Sequence, residues 1–259
     1  MMGDKEDLVV RAIIAERAER YEDMARCMKS IIEKGGDVSD DERNLFAVAY
    51  KNMVAERRNA WRIISAIENS YIESDFRKTI ITDYLNEIAS EQRAICKDAL
   101  YLLDNFLIPS SPNFDPKVFS LKMKGDYYRY LAEVNTDPGS RENEAMEAQK
   151  AYEEAYVSSK EHMAPIHPVR LGLALNFSVF YYEILNETKK ACELASSAFD
   201  DAIQDQDLHA GGPHDDDYKD AMLIMQLLRD NLAMWTSDSS RVQLESINTL
   251  GDKSYTSRK

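Results

Sequence analysis

The sequence predicts an all-α protein. Three observations carry that expectation. No proline occurs before Pro109, and after Gly3 the only glycines in that span are Gly35 and Gly36. Thirty per cent of the residues are charged, and Ala, Leu, Glu, Lys, Arg and Met are well represented, a composition that favours helix. Apolar residues recur at helical spacing, and no alternating run bounded by hairpin turns interrupts them.

About nine antiparallel helices follow from the punctuation, at roughly 4–18, 21–34, 40–72, 77–107, 115–136, 140–162, 168–186, 188–207 and 216–236. The Gly35-Gly36 pair ends the second helix. Ser39 with Glu42 three residues later is a capping-box signature that opens the third. That helix carries Leu45, Val48 and Ala49, then Trp61, Ile64 and Ile67, as its apolar stripe. Pro109 to Pro116 closes the fourth, Pro138-Gly139 the fifth, Pro165 to Pro168 the sixth, and Gly211-Gly212-Pro213 precedes the ninth. Residues 1–236 are expected to form one helical domain. Residues 237–259, poor in apolar side chains, are expected to be a flexible tail.

The bulk numbers narrow the function classes. At 259 residues the chain can bury a sizeable core. No apolar run approaches the length of a membrane span, and the acidic start lacks an apolar signal region, so the expected setting is the cytoplasm, with no membrane partner. Cys27, Cys96 and Cys192 are odd in number and far apart, as thiols of a reducing compartment are. A formal net charge of -14 argues against general nucleic-acid binding.

Against that charge, the segment "KNMVAERRNAWR" gathers Lys51, Arg57, Arg58 and Arg62. On a helix Arg58 and Arg62 each fall within roughly 20° of Lys51, while Arg57 points elsewhere. Between Lys51 and Arg58 that face carries only Val54 and Ala55, so it reads as half of an anion site. A second basic piece, "LKMKGDYYRYLAEV", puts Lys122 and Arg129 seven apart with Tyr130 adjoining. On spacing alone a solvated basic face stays open as the alternative.

Two later segments offer amides among apolar rows. Asn176 adjoins Leu175, one turn from Val179, with Glu183 following; Leu223, Leu227 and Asn231 form an i, i+4, i+8 row that ends at Trp235. A core stripe is the alternative there, although a buried amide needs partners. Phosphate-loop, dinucleotide, nucleophile-elbow and zinc-protease motifs are absent. The cluster "HAGGPHDDD" offers His209, His214 and Asp215 to Asp217 as metal donors, but a Gly-Gly-Pro loop does not fix ligand geometry. No cofactor and no enzymatic activity are expected.

The segments "ERNLFAVAYKNMVAERRNAWRIISAIE", "FSLKMKGDYYRYLAEV", "HPVRLGLALNFSVFYYEILN" and "LIMQLLRDNLAMWTSD" closely resemble the 14-3-3 family, and the likeness runs from about residue 5 to 238. The resemblance implies an L- or cup-shaped protomer of nine antiparallel helices with an amphipathic peptide groove, a dimer, and recognition of phosphoserine or phosphothreonine in extended peptides. Its phosphate cradle maps onto Lys51, Arg58, Arg129 and Tyr130. Its peptide clamps map onto Asn176 and Asn231 and its apolar wall onto Leu175, Val179, Leu223, Ile224 and Leu227, while Glu183 and Trp235 also match and support the far edge of the groove. Its dimer interface maps onto Arg20, Asp23, Tyr84, Glu87 and Glu91, with Leu8 and Ile14 as apolar contacts. Arg20 with Glu91 keeps one ion pair, whereas Asp23 faces Glu87 where lysine is usual. That clash implies a weakened homodimer or exchange into heterodimers with related isoforms.

Three departures stand out. The 204–217 loop is longer than the family's, the ending "SYTSRK" replaces an acidic tail, and Ala60 stands where several members carry a phosphorylatable serine. The expected function is an adaptor for phosphorylated client proteins. A helical scaffold that takes unphosphorylated peptides or helices in the same groove is the alternative.

Overall fold

A computed structural model describes the backbone at residues 2–70, 75–208 and 216–255, and side chains at 4–68, 76–205 and 217–237. Among the described residues the chain is helical apart from short connections and has no strand. It divides into two compact units, 1–155 and 156–259.

The first unit contains α1 (Met2–Arg17), α2 (Tyr21–Glu33), α3 (Asp40–Ser70), α4 (Asp75–Leu102), α5 (Phe114–Val134) and most of α6 (Pro138–His162). Consecutive helices α1 to α5 pack on one another, around a core that includes Met24, Met28, Phe46, Tyr50 and Leu103. The capping box forms as expected. Ser39 N–H donates to Glu42 at 2.9 Å, and Glu42 N–H donates to the Ser39 hydroxyl at 3.2 Å, satisfying two orphan donors at the start of α3.

The stripe that α3 buries is shifted from the expected one. Phe46, Ala49, Tyr50 and Val54 are buried, Leu45 and Val48 are only half-buried, and Ile63 and Ile67 are exposed. Val54, expected on an open face, lies in the core at 1% exposure. The fourth helix also departs from a plain α-helix. At Leu103–Leu107 it widens to a π turn, closed by Ile108 N–H to Leu103 C=O and tied to α3 by Arg43, which donates to Leu107 C=O at 3.1 Å.

The second unit contains the end of α6, then α7 (Pro168–Glu183), α8 (Thr188–Leu208) and α9 (Asp216–Tyr255). Helix α7 starts with Pro168 at its first position and with His167 accepting from Val169 N–H. Ala191, Ala195 and Ala202 on α8 and Ala221 on α9 are buried with Leu171, Met225 and Leu228, small residues that let the three helices approach closely. Helix α9 runs past its expected end near 236 to Tyr255. Between Trp235 and Tyr255 there is no proline and only Gly251 to interrupt it. No described helix is long and apolar enough to cross a membrane. The 209–215 part of the histidine-aspartate loop lies outside the described residues, and no group of possible metal donors occurs among those described.

Candidate anion-binding cradle

In the first unit α3 and α5 bring their basic residues together. Arg58 donates to Glu133 through two nitrogens, at 2.6 and 3.0 Å, a bidentate fork of the kind guanidinium and carboxylate geometry favours. Arg62, one turn on, donates to the same carboxylate at 2.6 Å. Burial would raise the Glu133 carboxyl, but the bonds from Arg58 and Arg62 outweigh it and hold the group below its usual range. The Arg58 guanidinium also lies over the Tyr130 ring, 4.2 Å from its centre, and the Arg129 guanidinium lies 4.7 Å from the same ring.

Arg129 is nearly buried and firmly tied. Its Nε donates to the Tyr152 hydroxyl at 3.1 Å, and its Nη2 donates to Asp126 at 3.3 Å and to the Tyr130 hydroxyl at 3.4 Å. Asp126 in turn accepts from Lys122 at 3.0 Å and from the Tyr152 hydroxyl at 2.5 Å. Desolvation opposes the Asp126 charge, yet Lys122 and Arg129 keep its carboxyl low. Arg58, Arg62, Arg129 and Lys122 thus face two carboxylates, leaving positive charge in excess before Lys51 is counted. Lys51 is exposed on α3, about 10 Å along the axis from Arg58. Arg57 does point elsewhere: it bonds Glu22, Glu56 and Glu91 at 3.1, 2.7 and 3.2 Å.

Three side chains from other helices hold the last turns of α5 in register. Gln92 donates to Tyr130 C=O at 2.8 Å, Arg141 to Ala132 C=O at 3.2 Å and Arg93 to Val134 C=O at 3.3 Å. None of these, nor Glu133, Asp126 and Tyr152, was picked out from the sequence. Gln92 alone carries a local signal, as the one polar member of the buried row Leu85, Ile88, Ala89, Gln92, Cys96 and Ala99.

In the second unit, Leu223 and Leu227 are 62% and 44% exposed, an apolar row on α9 that its own unit does not cover. Leu175, Val179 and Ile224 are half-buried against the core, Asn176 and Asn231 are half-buried, and Glu183 is exposed. Trp235 lies inside the second unit. At 1% exposure it is part of the core, stacked on Tyr182 with ring centres 5.0 Å apart, so it supports α7 and α9 from within and presents no surface.

The family model for 14-3-3 proteins matches residues 11–236. The chain belongs to the 14-3-3 family. It is 55% identical over 239 residues to 14-3-3 protein zeta of Bombyx mori, covering 92% of this chain and 95% of that protein. It is 54% identical over 237 residues to 14-3-3 protein theta of Gallus gallus, covering 92% and 95% of the two chains. Membership in the 14-3-3 family supports a phosphopeptide-binding adaptor role in general, in a family of non-enzymatic adaptors.

The residues matched to the 14-3-3 dimer interface are all on the first unit. Tyr84 is 54% and Ile14 62% exposed, and Glu87 and Glu91 are exposed, while Leu8 is half-buried against its own core. Within the protomer Arg20 bonds Asp23, Arg26 bonds the other oxygen of Asp23, and Glu91 bonds Arg57. Asp23 is therefore not a bare carboxylate on α2.

Proposed function

We propose that this chain binds phosphoserine or phosphothreonine segments of client proteins and regulates them in signalling by clamping, masking or bridging. The phosphoryl group is held by Lys51, Arg58, Arg129 and the Tyr130 hydroxyl. It carries about -1.5 to -2 charge, and guanidinium forks match its oxygens. The observation that carries this reading is the pair of guanidinium groups, Arg58 and Arg129, set against one tyrosine ring and each tied by a carboxylate. Such groups bind without first losing rotamer freedom.

Asn176 and Asn231 hold the backbone of the peptide, since an amide both donates and accepts. Leu175, Val179, Leu223, Ile224 and Leu227 take its apolar side chains, Glu183 lies at the edge, and Trp235 supports the wall from inside. The chain works as a cytoplasmic dimer. The exposed Val10 and Ile14 of α1 and Phe76, Ile80 and Tyr84 of α4 supply apolar area for that contact. Fluorescence anisotropy with matched phosphorylated and unphosphorylated peptides tests the reading. Binding that needs the phosphate supports it, and equal affinity for both peptides favours a phosphate-independent scaffold instead.

A further inference from the structure

One buried hydroxyl bridges two groups that share a single direct bond. The Tyr152 side chain is fully buried. Its hydroxyl donates to Asp126 Oδ1 at 2.5 Å and accepts from Arg129 Nε at 3.1 Å. Arg129 Nη2 also donates directly to Asp126 Oδ1, at 3.3 Å. A guanidinium and a carboxylate three residues apart on one helix, in a dry site, would ordinarily close into a bidentate fork. Here a second bond would need Nε and Oδ2: the phenol holds Nε, and Lys122 Nζ donates to Oδ2 at 3.0 Å.

The backbone makes room for that phenol. A Cβ on Gly125 would stand 2.6, 2.7 and 2.9 Å from Cδ1, Cε1 and Cγ of the Tyr152 ring. All three are ring atoms of a buried side chain, which cannot swing aside. Glycine in a helix interior weakens the helix, so its presence in the middle of α5 has a packing cause. No larger residue at 125 lets the ring lie where its hydroxyl reaches both Asp126 and Arg129.

We infer that Tyr152 is a positioning residue of the cradle: its hydroxyl holds Arg129 Nε and so keeps the guanidinium from closing a second bond to Asp126, leaving it directed to the phosphoryl ligand, and Gly125 seats the ring. The inference rests on the phosphopeptide reading above and names how that site is regulated from behind. Arg129 Nε and Nη2 are engaged by protein groups. The plane of the guanidinium is thereby fixed, with Asp126 shared by Lys122 so that no single cation neutralises it.

The test uses the full chain and a labelled peptide chosen from a phosphoserine library for its affinity to the unmodified protein. Tyr152→Phe keeps the ring and removes the hydroxyl. Phosphopeptide affinity should fall about tenfold, the size of one buried hydrogen bond to a charged group. In ³¹P NMR the second ionisation of the bound phosphate, about 6 in free phosphoserine, should move up towards the free value relative to the unmodified complex. Adding Asp126→Asn should restore part of the loss, because collapse needs the carboxylate; a merely structural defect would not be rescued. Gly125→Ala should act in the same direction as Tyr152→Phe, and it replaces that variant should the latter not fold. A folded Tyr152→Phe with unchanged affinity and unchanged phosphate titration overturns the inference. Unmodified protein that ignores the phosphate overturns the phosphopeptide reading instead.

Discussion

The cradle of the first unit and the leucine row of the second are built on opposite principles. In the cradle Arg129 is buried and Arg58 half-buried, and each is held by a carboxylate: Arg58 by Glu133, Arg129 by Asp126 and the Tyr152 hydroxyl. The row on α9 is open, with Leu223 and Leu227 exposed. A doubly charged ligand must compete with water for its contacts, so its donors have to be fixed beforehand, and that requires a second layer of polar residues. An apolar contact is non-directional and needs only area left uncovered. Substitutions in the two regions should therefore fail differently.

The largest effect is expected in the cradle. Arg58→Glu or Arg129→Glu should abolish measurable phosphopeptide binding, since truncating one side of a buried charged pair costs about 2–5 kcal/mol and the new carboxylate also repels the ligand. Arg57→Glu is the control that sharpens the comparison. It would put a fourth carboxylate beside Glu22, Glu56 and Glu91, so its melting temperature should drop while the affinity of the folded fraction stays near the original. Anisotropy and thermal melts on the three variants separate the outcomes. A larger loss of binding in Arg57→Glu than in Arg58→Glu would mean that the helical-face argument is wrong.

A smaller and different loss is expected in the second unit. Leu223→Ser with Leu227→Ser should cost about 1–2 kcal/mol with a long phosphopeptide, from apolar area no longer buried on binding. It should cost nothing with phosphoserine alone or inorganic phosphate. Calorimetric titration with the short and the long probe checks this. An equal loss for both probes would show that the two regions do not divide the work between charge and apolar contact.

How much of this was legible follows the same division. The face shared by Lys51, Arg58 and Arg62 is visible because seven and eleven residues bring a helix nearly back to its starting angle. The capping box at Ser39 and Glu42 is visible because it closes within one turn. Glu133 stands 75 residues from Arg58 and Tyr152 stands 23 from Arg129. No periodicity links such positions, so the layer that fixes the cradle appears only in the fold. The burial of Trp235 is hidden for a related reason: the row Leu223, Leu227, Asn231 leads to it by spacing, but packing on Tyr182 is a property of α7 and α9 together. The shifted stripe of α3 has the same origin, because which apolar residues are covered depends on how far the neighbouring helices reach.

The second polar layer has its own test. The folded pKa of Glu133 lies below its unfolded value, about 4.3. Its contribution to stability is therefore complete above that pH and is lost as the pH falls through the folded pKa. Glu133→Gln should destabilise the protein by about 1–3 kcal/mol at neutral pH, by leaving arginine donors short of a charged acceptor. The difference should shrink towards zero on acidification below about 4. Urea denaturation at several pH values reads it directly, and a difference that did not depend on pH would assign Glu133 a packing role only.

The smallest effect concerns the dimer, where the charge pattern of α2 reverses an expectation from sequence. Asp23 set against Glu87 of a second copy reads as a repulsion, which Glu87→Lys would relieve. Inside the protomer, however, Arg20 and Arg26 each bond one oxygen of Asp23, and the positive charge of Arg11 also acts on this carboxylate, which is held low chiefly by its bond from Arg20. Three arginines thus act on the single charge of Asp23, so an exposed glutamate placed against that carboxylate is attracted. Glu87→Lys should then loosen the dimer, by no more than about 1 kcal/mol per exposed pair and twice over by symmetry. Arg26→Ala should expose the original conflict, so that Glu87→Lys tightens the dimer in that background. Analytical ultracentrifugation over a dilution series, at low and high salt, distinguishes the two. A dimer that tightens with Glu87→Lys while Arg26 is intact would mean that Arg26 does not reach the charge it meets across the interface.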